Sequence, residues 1–172
     1  MNRLSRWSSV LAITVGLTPA VTGQSVSPPE PAALRFDSRF ILETVARRMN
    51  IVLRPEVPLP AILLESGTRV RRFQDSIAAQ WKFRPTAISN AYAIARNEIY
   101  LTDDAAFYVR LKRTLDDSLA HEFVHYLQVH YLDQDLASDD AEARAVEIQQ
   151  WFREVYVRGR YDRGIRMAEL SE

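Results

Sequence analysis

All three histidines of this 172-residue chain fall between positions 121 and 130, and two of them enclose the sequence His121-Glu122-Phe123-Val124-His125. Around them Leu115, Leu119, Phe123 and Leu127 recur at helical spacing and form one apolar stripe. Residues four apart on a helix differ by about 40° around the axis and about 6 Å along it, so both imidazoles reach one point from one face. The chain must therefore fold so that this helix buries its stripe on one side and keeps a pair of histidines together on another.

Two neutral imidazoles at one point suit a borderline ion such as Zn²⁺. Glu122 lies about 100° from His121 and about 60° from His125, so its carboxylate flanks the same face without serving as a ligand. From there it can accept a proton from a metal-bound water, whose pKa falls to about 7 in such sites. Cysteine is absent, which excludes a thiol nucleophile, Cys-ligated zinc, iron–sulfur clusters and disulfides. With 22 basic and 22 acidic residues the net charge is zero, so nothing electrostatic points to nucleic acid or an anionic membrane.

Two histidines leave a metal short of protein ligands. A third on an extension of the same helix, the metzincin arrangement, needs a histidine at 131 and a glycine at 128. Those positions hold Tyr131 and Gln128. His130 is nine residues past His121, on about the opposite face of a straight helix. A glutamate from the next helix, packed antiparallel, is the remaining route. Residues 140–145 read Asp-Ala-Glu-Ala-Arg-Ala, placing Glu142 on a stretch that Ser138 or Asp139 can cap.

The pairing of LAHEFVHYLQ with a downstream DAEARA resembles the gluzincin metallopeptidases, in which HExxH is completed by a glutamate on a following helix. The likeness runs over about residues 91–157 and is greatest to the small bacterial minigluzincins and to exported bacterial HExxH domains. It implies zinc held by His121, His125 and Glu142, Glu122 as general base, and a peptide or protein substrate. Small Ala143 and Ala145 would let the two helices approach closely; Glu147 stays as a rival third ligand. The chain departs from the family where an aspartate often follows the ligand glutamate by four residues, since Val146 and Trp151 stand there. Support for a histidine must come from elsewhere, with Asp117 a candidate. The resemblance further implies that the hairpin before the helix edges the cleft and that a tyrosine or histidine often steadies the oxyanion, a role for which Tyr156, Tyr161 and His130 are available and none is assigned. The alternative is a non-catalytic metal-binding or protein-interaction module on the same scaffold.

The rest of the chain predicts an α+β fold: mainly helical, the HExxH helix packed on a following Glu-bearing helix, a small antiparallel hairpin upstream. Residues 1–23 read as a signal peptide, with Arg3 and Arg6 before a short apolar run and Val21 and Gly23 at a small-residue cleavage site. Periplasmic or secreted placement without a membrane anchor follows. Residues 24–36, rich in proline and serine, are expected to be a flexible lead-in. A single domain is expected over 37–158 and a loose tail over 159–172. Within the domain, helices are expected from Asp37 or Ser38 to about Met49, over Val70–Trp81, from Thr102 through Leu127 with a break near Thr114, and from Ser138 to about Arg158. Residues 54–60, with three prolines, are expected to be extended. Residues 91–101 alternate as a hairpin turning near Arg96-Asn97.

Overall fold

The computed structural model describes residues 31–159; the expected signal peptide and residues 160–172 lie outside the described residues. The lead-in is not loose where it is described. The N–H groups of Arg35 and Phe36 both donate to Asp116 Oδ1, at 2.8 and 2.9 Å, and Ala32 N–H donates to the Asp103 carbonyl at 2.8 Å. Phe36 packs on Phe40, Phe152 and Tyr156. One oxygen of the buried Asp116 carboxylate is thus satisfied by two backbone donors, and the segment is held as a consequence.

Helix α1 (Ser38–Arg48) starts where expected, Asp37 accepting the N–H groups of Arg39 and Phe40. It buries Ile41, Leu42, Val45 and Ala46. The proline-rich 54–60 segment is not extended throughout: Val57 N–H closes a turn onto the Arg54 carbonyl at 3.1 Å. It delivers the chain to β1 (Ala61–Leu64), a strand the sequence did not predict. Helix α2 (Val70–Trp81) follows and ends at Lys82 in the left-handed region. The hairpin is β2 (Ala91–Ala93) and β3 (Glu98–Leu101), turning through Ile94–Arg96 onto Asn97 at φ 50°. Strand order is β1-β3-β2; β2 pairs antiparallel with β3, Tyr92 opposite Ile99, and β1 pairs parallel with it, Ile62 opposite Ile99.

The sheet separates two apolar layers, and the alternation of side chains assigns residues to each. Tyr92, Ile99 and Leu101 join the main core with α1, and Ala91, Ala93 and Tyr100 join Phe73 and Ile77 of α2 on the opposite side. After α3 (Ala105–Leu111) the chain breaks at Lys112 (φ 53°), and Thr114 caps α4 (Leu115–Leu132) by accepting Asp117 N–H at 3.2 Å. Asp133 in the left-handed region ends α4. Ser138 then caps α5 (Asp139–Phe152), which widens into a π-helical turn over Arg153–Val157. The architecture is α+β and mainly helical, with the small sheet upstream of the long helices. Helix α4 is enclosed by α1, α5, β2 and β3, and its residues 115–120 and 122–128 are all buried.

Candidate metal centre

The same helix that supplies the core supplies the site. Leu115, Leu119, Phe123 and Leu127 are at most 3 % exposed, which fixes the rotation of α4 and turns His121 and His125 towards α5. Their Nε2 atoms stand 3.0 Å apart. Glu142, one turn into α5, brings Oε2 to 3.3 Å from His125 Nε2 and 3.6 Å from His121 Nε2. The Ser138 cap sets this register, and fully buried Ala141 and Ala145 occupy the α5 face beside Glu142.

The three donors fit a metal. In a tetrahedral site with bonds of about 2.05 Å, donor atoms lie about 3.3 Å apart, and the observed edges of 3.0, 3.3 and 3.6 Å bracket that spacing. His125 Nδ1–H donates to Gln128 Oε1 at 2.9 Å, while Gln128 Nε2 donates to the Ala141 carbonyl at 2.9 Å. That bond fixes the tautomer and leaves the His125 Nε2 lone pair facing the other donors. Burial, then the neighbouring His125, push the His121 imidazolium down to about 4, so the ring is neutral and able to ligate near neutral pH. The group His121, His125 and Glu142 could hold a metal ion.

Glu122 sits beside this group, 4 % exposed. Burial first, and the Glu142 carboxylate second, push its pKa up to about 8, against a hydrogen bond from Tyr92 N–H. A cation among the donors opposes the Glu142 contribution. These residues open into a cleft of about 240 Å³, whose walls include Gln80, Trp81, Asn90, Tyr92 and Leu136. A larger cavity of about 380 Å³ lies elsewhere, against Glu65, Ser66, Asp103 and Asp104. Its Glu65 and Asp103 carboxylates already accept from Thr102 and Ser66.

Other sequence candidates are placed away from the donors. Glu147 is exposed and pairs with Arg144 at 2.6 Å and Arg48 at 3.8 Å. His130 meets the Tyr92 hydroxyl at 2.7 Å. Tyr156 lies among Phe36, Phe40, Trp151 and Phe152, and Tyr161 lies outside the described residues. The hairpin borders the cleft through β2, but Gln80 already occupies two of its outward backbone groups. Its Nε2 donates to the Tyr92 carbonyl at 3.1 Å and its Oε1 accepts Ile94 N–H at 3.2 Å. Asp117, one turn before His121, is fully buried and accepts from Gln149 Nε2 at 3.2 Å and from Arg153 at 3.4 Å. Gln80, Gln128 and Gln149 were not singled out in the sequence; a neutral amide carries no spacing signature, and all three act through partners distant in the chain or buried by the fold.

Comparison with protein-family models, with curated proteins and with solved structures finds no match for this chain. Among the described residues no helix is long and apolar enough to cross a membrane.

Proposed function

We propose that this chain is an exported zinc-dependent hydrolase of gluzincin type, acting on peptide bonds. The observation that carries this reading is the convergence of His121, His125 and Glu142 donors in one cleft with the buried carboxyl of Glu122. Two imidazoles and one carboxylate are the donor set of a catalytic zinc site with a position left for water. The ion supplies polarisation of the scissile carbonyl and a lowered water pKa when bound. Glu122 takes a proton from the attacking water, whose oxygen adds to the carbonyl carbon. It returns the proton to the amine nitrogen as the C–N bond breaks. The charge of a bound ion and the Tyr92 N–H both favour the carboxylate form of Glu122, the form that accepts the proton, and its burial excludes bulk water.

A non-catalytic metal-binding module remains the second reading, favoured by one feature. Among the described residues lining the cleft, the phenol present is Tyr92, and its hydroxyl is engaged by His130 and Asn97. Turnover of peptide mixtures by the zinc-loaded protein, with Glu122→Gln alongside, separates the two. The peptidase reading expects at least a 100-fold fall in turnover for Glu122→Gln with zinc retained, since general-base catalysis contributes about 10²–10⁴-fold. Zinc binding without turnover in the wild type assigns the module.

A further inference from the structure

The two histidines are supported differently. His125 has its Nδ1–H on Gln128. His121 Nδ1 is buried and has no hydrogen-bond partner among the described residues. A ring nitrogen left so is costly unless an acceptor comes into range. Glu142 stands against His121 Nε2 and Gln149 against Asp117, one turn before His121 on α4, so the nitrogen on the Gln149 side of the ring is Nδ1. Gln149 is 2 % exposed and comes from α5, two turns beyond Glu142. Its Nε2 is committed to Asp117 Oδ1, so the oxygen is the end left to face the ring. Asp117 is itself held by Arg153, which the π-helical turn after α5 brings to 3.4 Å.

We propose that Gln149 is a positioning residue for His121, its amide linking the imidazole Nδ1–H to the buried Asp117 carboxylate. The inference rests on the metal-site reading and deepens it. The carboxylate orients the amide, the amide oxygen accepts the ring proton, and the Nε2 lone pair is thereby fixed toward His125 and Glu142. Burial raises the Asp117 pKa, and the Gln149 amide and Arg153 oppose that rise, so the link ends on a buried pair and not on an exposed group. This answers what takes the place of the missing aspartate four residues after Glu142: the support comes from one turn further along α5, and it reaches the histidine through an amide.

The test compares wild type, Gln149→Leu and Asp117→Asn by zinc competition titration and by ring-nitrogen NMR of the zinc-loaded proteins. Loss of an orienting partner typically costs 10–100-fold in metal affinity, and that range is expected for Gln149→Leu. Its His121 Nδ1–H signal should be lost to solvent exchange while that of His125, still held by Gln128, persists. Asp117→Asn keeps an oxygen for Gln149 but removes the charge, so a smaller loss with the same selectivity for His121 is expected; it also serves should Gln149→Leu not fold. Wild-type zinc binding with unchanged affinity in both variants, or equal loss of both ring signals, overturns the inference and leaves the metal site standing. A wild type that binds no zinc overturns the metal-site reading and the inference with it.

Discussion

At the residue scale, two ionisable groups of the site, Glu122 and His121, pull stability in opposite directions with pH. Glu122 has its folded-state pKa raised from 4.5 to about 8 by burial, so the folded chain holds a proton that the unfolded chain has lost. That contribution is complete below pH 4.5 and disappears as pH rises through about 8. His121 has its folded pKa lowered from 6.5 to about 4, so its contribution is complete above 6.5 and disappears as pH falls through about 4. Between pH 4.5 and 6.5 the two slopes oppose; above 6.5 Glu122 acts alone. The metal-free protein should therefore lose up to about 2 kcal/mol between pH 6.5 and 8, at about 1.4 kcal/mol per pH unit. Urea unfolding across that range checks it, and Glu122→Gln should flatten the decline. A metal-free wild type whose stability is level or rising over that range would contradict the burial argument.

At the scale of elements, the α4–α5 pairing sets the distance between the histidines and Glu142. Ala145 is fully buried on that face. Ala145→Leu should cost about 1–3 kcal/mol by overpacking and weaken zinc binding by displacing α5. Glu147→Ala removes only exposed ion pairs; it should change stability by less than about 1 kcal/mol and leave zinc affinity near wild type. Denaturant midpoints and zinc titrations of the two variants check both. The helices were legible from apolar residues at helical spacing, bounded by caps at Asp37 and Ser138 and by a break near Thr114 that the structure shows to be the cap of α4. The hairpin was legible from alternation on either side of Asn97. Strand β1 was not, because four residues after a proline run show no alternation and their partner lies far along the chain, Ala61 opposite Glu98. The bound state of residues 31–36 was hidden for a related reason: it depends on Asp116, fully buried some 80 positions away.

At the scale of the whole molecule, the sheet divides two apolar layers, and the helices that carry the donors pack in one of them. Phe73 is fully buried on the α2 side, against Tyr100 and Trp81. Phe73→Ala should cost about 3–5 kcal/mol through the cavity it leaves. The variant's zinc affinity, measured where it is still folded, should stay within a few-fold of wild type, because α4 and α5 are packed through the other layer. A parallel collapse of metal affinity would mean that the layers are more tightly coupled than their packing implies. The pattern of His121, Glu122 and His125 was readable from the sequence because a single helix holds all three. The third donor required knowing how two helices lie against each other, and the sequence left Glu142 and Glu147 both open.

Everything proposed for this chain depends on a metal held between α4 and α5, and metal content per chain decides it. Purified protein equilibrated with a small excess of Zn²⁺ and then freed of loosely held ion should retain about one per chain. His121→Ala, His125→Ala and Glu142→Ala, treated identically, should each retain almost none, while Glu147→Ala and His130→Ala retain the wild-type amount. Wild-type protein without zinc, or full occupancy persisting in the His121→Ala and His125→Ala double variant, would contradict it.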